Sequence, residues 1–219
     1  VELYFCAGDN RRFAEIAIEA GLLYGARLPT RVHFPIQFAD QDWSQPDKDG
    51  YIKALKQYKP RVATILDWER PEQRREVFEW AETVASIVDV LILIPKWFGA
   101  AREIPSTIGG KEIRIGIPCG PYQSAAALPL EIAGRPVHVL GGQPHRQMDL
   151  AGYLNVVSVD CSVTAYMARL KCAFWQNRRW IQLKAIGLGN LGKGALYEAF
   201  SRSCANVIAG WQSFESSLQ

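Results

Sequence analysis

The sequence predicts an α/β protein, a compact (β/α)8 barrel of the TIM type. Three observations predict it. Short apolar runs alternate with longer amphipathic ones along the chain, and strands that alternate with helices build parallel sheets, because parallel neighbours need a crossover between them. The alternation gives eight strands and about eight helices. No linker, low-complexity stretch or repeat divides the 219 residues. A single domain over 1–219 is therefore expected, shorter than the ~250 residues usual for this barrel. An open doubly wound sheet satisfies the same alternation without closure and is the alternative.

Taken in order, "ELYFCAG" is the first strand, and "NRRFAEIAIEAGLL" follows with helical spacing through Phe13, Ile16, Ala17 and Leu22. The second strand is placed near Phe34 to Phe38, with Pro35 arguing against a central position. "DGYIKALKQYKP" is a helix and "RVATILDWE" a strand. "RPEQRREVFEWAETVASIV" is a long helix opened by Pro71 in its first turn. "DVLILIP" is a strand, and a short helix lies within "FGAAREIPST". "KEIRIGIPCG" is a strand, "SAAALPLEIAG" a weak helix, "RPVHVLGG" a strand and "PHRQMDLAGYL" a helix. The apolar "NVVSVD" is the seventh strand, followed by a helix over "SVTAYMARLKCAFW". "RRWIQLKAIG" supplies an eighth strand and "GALYEAFSRSCANVIAGW" the last helix.

Composition is that of a globular protein, 48% hydrophobic and 21% charged. No apolar run is long enough for a membrane span, and "VELYFCAGDN" lacks the pattern of a signal peptide. Five scattered cysteines without a CxxC pair point to reduced thiols and a cytoplasmic setting rather than a disulfide framework. The net charge of +3 is uneven: residues 161–219 hold seven basic and two acidic side chains. Such a basic segment is either a phosphate footprint or a solvated helix surface.

In a barrel the carboxyl ends of the strands form the functional face. Asp40, Asp67 and Asp160 fall at such ends after the second, third and seventh predicted strands, and Gly-rich turns follow the fifth ("IPCG") and sixth ("VLGGQ"). An unpaired buried carboxylate is costly. Asp160 therefore either caps the next helix or faces a mouth where it has a task, and the two roles are compatible. Trp43, Trp68 and Trp97 lie just beyond strand ends, as walls for a flat ligand or as rim packing. "GLGNLGKGAL" contains GxGxxG at Gly187, Gly189 and Gly192, but too little chain follows to complete a dinucleotide-binding unit, so no such cofactor is expected. Lys193 in this loop and Arg178 and Arg179 in "CAFWQNRRW" are candidate phosphate contacts. His33, His138 and His145 show no HxH or HExxH spacing, and no metal site is expected. His138 alternates within a strand and suits a satisfied core or mouth residue better than a ligand.

An Asp after a late strand, another after the third and a Gly-Gly turn after the sixth resemble the guanine transglycosylases, the tRNA enzymes and their DNA-directed relatives of phages and bacteria. "SVDCSVTAYMARL" resembles the segment with the nucleophilic aspartate of that family, which implies that role for Asp160. "TILDWE" resembles the strand whose aspartate reads the guanine edge, implying Asp67. "IGIPCG" and "VLGGQP" resemble base-pocket turns, implying Gly120, Gly141 and Gly142 as ligand contacts. "FADQDW" stands where the family has Asp-Ser-Gly, so Asp40 and Asp42 compete for the remaining acid. The cysteine-rich zinc motif of the tRNA enzymes is absent, which favours DNA over RNA. The resemblance implies replacement of guanine in DNA by a 7-deazaguanine such as preQ0, through a covalent Asp–sugar intermediate, without a cofactor. Two competing expectations are a barrel hydrolase or lyase acting on a small sugar or nucleotide, and a non-catalytic nucleic-acid-binding module.

Overall fold

The computed structural model describes residues 1–6, 10–119, 129–188 and 192–217, with Lys193 as backbone only. Its strands are β1 (Glu2–Cys6), β2 (Leu23–Leu28), β3 (Phe38–Gln41), β4 (Val62–Thr64), β5 (Val90–Leu93), β6 (Thr107–Ile108), β7 (Lys111–Pro118), β8 (Val137–Leu140), β9 (Val156–Asp160), β10 (Ala173–Gln176) and β11 (Arg179–Gln182). Its helices are α1 (Arg11–Ala20), α2 (Lys48–Tyr58), α3 (Arg74–Ala85), α4 (Ala100–Glu103), α5 (Pro144–Ala151), α6 (Val163–Lys171) and α7 (Ala195–Ser217).

Eight parallel strands run in the order β5-β4-β3-β2-β1-β9-β8-β7, and β5 pairs with β7 to close the ring. The fold is the TIM-like barrel, not the open sheet. β6 is a two-residue antiparallel appendage on β7. Local signals set the helix ends. Asn10 Oδ1 accepts from Phe13 N at the start of α1, and Gly21 closes that helix at φ 98°. Asp47 caps α2 by accepting from Gly50 N.

The strand assignment needs three corrections. Leu23–Leu28 is a barrel strand, although Leu22 reads as the end of the helical spacing and Gly25 weakens a strand pattern. Gly25 is there because its neighbours are close: a Cβ on it would lie 2.8 Å from Phe38 Cδ1 and 2.9 Å from Cys6 Sγ. The strand expected near Phe34 to Phe38 begins only at Phe38, and β2 reaches β3 without a helix. "RRWIQLKAIG" and the end of "MARLKCAFW" form neither a barrel strand nor a helix end but the antiparallel hairpin β10–β11. Asp40, Asp67 and Asp160 thus belong to the third, fourth and eighth barrel strands. The helix expected over "SAAALPLEIAG" lies mostly outside the described residues; Pro129–Glu131 is a 3-10 turn.

Inside the ring, Tyr4, Phe38, Val62, Val90, Ile92 and Ile94 form an apolar layer. The larger core lies between the sheet and the helices and includes Trp68, Trp80, Phe200 and Trp211. Near the amino ends of the strands a polar layer crosses the interior. Arg114, almost wholly buried, donates to Glu2 (2.5 Å), Ser158 (2.9 Å) and Glu112 (2.9 Å). Tyr4 Oη donates to Glu2 at 2.7 Å, and Arg61 also binds Glu2. Burial by itself would raise the Glu2 carboxyl, but the bonds from Arg114 and Tyr4 and the charges of Arg114 and Arg61 outweigh it and bring it to about 2.

This cluster makes Glu2 a stability determinant. Glu2→Gln leaves the Arg114 charge short of its main partner and is expected to cost about 2–4 kcal/mol in urea unfolding. The folded carboxyl lies below its ordinary value of 4.5, so its contribution is present above that pH and is lost as pH falls toward about 2. The variant will therefore lose less stability than the parent over that acid interval.

Candidate active site

All eight strands are parallel, so their carboxyl ends share one face. Asp40 lies within β3, Asp67 three residues beyond β4, and Asp160 closes β9. In register, Asp160 pairs with Tyr4 on β1, and Asp40 pairs with Arg27 on β2. Cys6, at the end of β1, feels the charges of both aspartates, and burial together with those charges holds its thiol protonated. Asp40 in turn feels the charges of Asp160 and Asp67. Distant stretches of sequence are thereby gathered at one mouth.

Asp160 is almost fully buried and does not cap α6, whose cap position is Ser162. Its Oδ1 accepts from the Gly141 N–H at 3.0 Å and contacts His138 Nε2 at 3.3 Å. Among the described residues both bonds reach Oδ1 and none reaches Oδ2. The loop that brings Gly141 here is clamped by Gln147, whose Nε2 donates to Gly141 O at 2.7 Å and to Asp160 O at 2.8 Å. Gly142 has φ +81°, and a Cβ on it would lie 2.6 Å from Cys119 O, so a side chain does not fit. Over Gly141, with φ +61°, a Cβ would meet open space.

His138 has a defined orientation. Arg114 can only donate, and it donates to Ser158 Oγ. The Ser158 hydroxyl proton is then free for His138 Nδ1, 2.8 Å away. In the neutral ring this order places the proton on Nε2, facing Asp160. A register shift between β8 and β9 at Val137/His138 sets His138 opposite Ser158. Bulges of this kind re-aim side chains beside functional sites.

Asp40 is treated differently. Gln41 N–H donates to Thr64 Oγ1 at 2.8 Å, so the Thr64 hydroxyl donates its own proton to Asp40 Oδ1 at 3.1 Å. Burial, then the Asp160 charge, push the Asp40 carboxyl up to about 7 against this bond. Asp42 sits higher on the rim, bound by the Ser44 hydroxyl at 2.6 Å and Ser44 N–H at 3.0 Å and close to Arg27. Those bonds hold Asp42 below the ordinary carboxylate range. Asp67 is raised by burial, against the opposing charge and bond of Lys96 Nζ at 3.3 Å.

The remaining candidates are more dispersed. Gly120 and Gly189 lie outside the described residues. Arg178 sits at the turn of the β10–β11 hairpin and pairs with Asp149 of α5 at 2.6 Å. Arg179 is exposed on β11. Trp180 ties the hairpin to Gln143, the residue after Gly142, through Nε1 to Oε1 at 2.6 Å. Lys193 lies in the 3-10 turn before α7, whose Gly194 borders α1 residues including Arg12. The tryptophans differ in their surroundings. Trp68 is fully buried edge-on against Phe78 and Trp97, while Trp43 is 51% exposed. Lys96, Thr64 and Gln147 were not legible as site residues. For His138 the Val-His-Val alternation does place the ring opposite its valine neighbours.

The pair Asp160 and Asp40 unites a carboxylate with one bonded oxygen and an acid that keeps its proton up to about pH 7. Such a division lets one group attack while the other delivers or takes a proton. Because the Asp40 carboxyl lies above its unfolded value of 3.8, its ionisation costs stability as pH rises from about 4 through about 7. Asp40→Asn is expected to flatten that decline and to raise the melting temperature at pH 8 relative to the parent, as read by thermal unfolding across pH. Gly142→Ala is expected to cost about 1–3 kcal/mol, and Gly141→Ala about 1 kcal/mol or less, in the same assay.

A search of curated proteins finds no match to this chain. The sequence profile of DUF6610, described as a family of unknown function, matches residues 17–212, a span that contains Asp40, Asp67 and Asp160. The chain belongs to the DUF6610 family.

Proposed function

We propose that the protein is a base-exchange glycosyltransferase acting on nucleic acid, replacing guanine by a 7-deazaguanine through a covalent Asp160–sugar intermediate. One observation carries this reading. Asp40 holds its proton close to neutrality beside Asp160, whose Oδ1 is bonded and whose Oδ2 is free among the described residues.

In this reaction Oδ2 of Asp160 attacks C1′ of the nucleotide as the bond from C1′ to the base nitrogen breaks. The developing oxocarbenium character suits capture by a carboxylate. The departing guanine takes the Asp40 proton. A ring nitrogen of the incoming base then attacks C1′, the bond to Oδ2 breaks, and the nitrogen's proton returns to Asp40. The Gly141 N–H and His138 hold Oδ1 in place throughout. Asp67 and Lys96 offer an acceptor beside a donor. That combination complements the guanine edge, with its amide and amine donors next to a carbonyl acceptor. A base stacked in a duplex is out of reach, so the substrate is single-stranded or flipped out.

DNA incubated with the protein and a labelled 7-deazaguanine or guanine should take up label. Asp160→Asn is expected to lower the rate by on the order of 10³-fold or more, and to abolish a protein–oligonucleotide adduct on a denaturing gel. Asp40→Asn should slow exchange by roughly 10²–10⁴-fold. Exchange by Asp160→Asn at the parent rate would overturn the assignment.

A further inference from the structure

A cleft of about 750 Å³ opens beside the mouth, between the amino-terminal end of α1 and one face of α6 from Ser162 to Arg169. Cys6 lines it, two residues along β1 from Tyr4, the register partner of Asp160. Ser162, two residues after Asp160, forms one wall. Arg11 and Arg12 come from one helix, and Tyr166 and Arg169 from the other. No acidic side chain lines it among the described residues.

The charges here are available. Arg11 and Arg12 share Glu15, and Arg12 also lies 3.8 Å from Glu19. Both arginine side chains are more than half exposed, and exposed pairs of this kind contribute little. A guanidinium has five N–H donors, so bonds to Glu15 leave most of them open. Arg11 also stacks over Phe34 at 5.7 Å. Arg169 has no ion pair among the described residues. One helical turn away, Tyr166 is a large ring 60% exposed. Arginines interleaved with an exposed aromatic ring are what a nucleic-acid strand needs, phosphates on the cations and a base on the ring.

We propose that this cleft binds the phosphate esters of the substrate strand next to the reacting sugar, with Arg11, Arg12 and Arg169 on phosphates and Tyr166 stacked on a neighbouring base. The proposal rests on the base-exchange reading for the identity of the reacting sugar. It also places the principal cationic contacts on α1 and α6, away from the β10–β11 hairpin.

The test is equilibrium binding of a fluorescent single-stranded oligonucleotide, by anisotropy over a salt series, to the Asp160→Asn chain, in which chemistry is arrested. Adding Arg11→Ala, Arg12→Ala and Arg169→Ala together should weaken binding at least tenfold near 0.1 M salt. The salt slope should fall by about 2, as loss of three phosphate contacts requires. Tyr166→Ala should weaken binding by roughly 5- to 100-fold with the slope unchanged. Lys111→Gln, at the opposite end of the barrel, controls for bulk charge and should change neither. A nucleoside 5′-monophosphate, run in parallel, tells whether a single phosphate suffices or a strand is required. Unchanged affinity and slope in the triple variant for both ligands overturns the cleft assignment, even where base exchange proceeds. The expected losses in a chain whose parent shows no exchange would retain the cleft and reject the base-exchange reading.

Discussion

Closure of the sheet between β5 and β7 turns the inward faces of eight strands into a space walled by protein on every side. A carboxylate placed in such a space loses its hydration and must be compensated or keep its proton. Among the described residues Glu2, Asp67, Asp160 and Asp40 are each treated in a different way. Glu2 is clamped by Arg114, Arg61 and Tyr4. Asp67 meets Lys96. Asp160 receives a backbone N–H and the His138 ring. Asp40 receives, among the described residues, the Thr64 hydroxyl, and burial and the Asp160 charge leave it as the acid that keeps its proton. The asymmetry of the site thus follows from which acids the barrel supplies with partners.

A polar column joins the two ends of the interior. From Asp160 it passes through His138 and Ser158 to Arg114 and Glu2. Each link restricts the next, because Arg114 can only donate and thereby directs the Ser158 proton toward His138. The bulge on β9 is what allows it, since it sets Ser158 and Asp160 on the inward face together with His138. Stability at the amino end and orientation at the mouth are therefore parts of one network.

The chain is short for this architecture because some crossovers are reduced. β2 passes to β3 without a helix, and α4 is a single turn. Length saved there reappears after β9, where the β10–β11 hairpin and the 23-residue α7 pack on α6 and α1. This extra layer packs against the two helices that flank the cleft. The hairpin is in turn held to α5 and to the residue after the glycine loop through Arg178–Asp149 and Trp180–Gln143.

The sequence by itself determined the alternation of strand and helix, the barrel class, and the positions of Asp40, Asp67 and Asp160 at strand ends, because those signals are local. A two-residue period and a capped helix need only neighbours in the chain. The count of eight strands nevertheless rests on two opposite errors, since Tyr24–Leu28 of β2 is assigned no element from sequence and a hairpin strand is assigned to the barrel. Only the tertiary structure separates the surroundings of Asp40 and Asp42: Asp40, within β3, is enclosed near Asp160, while Asp42, just past the end of that strand, is held in a rim turn by Ser44. It also decided what binds Asp160, which Arg meets Glu2 across 112 positions of sequence, and which arginines share a cleft. Burial and charge depend on distances across the closed barrel, and no periodicity along the chain encodes those distances.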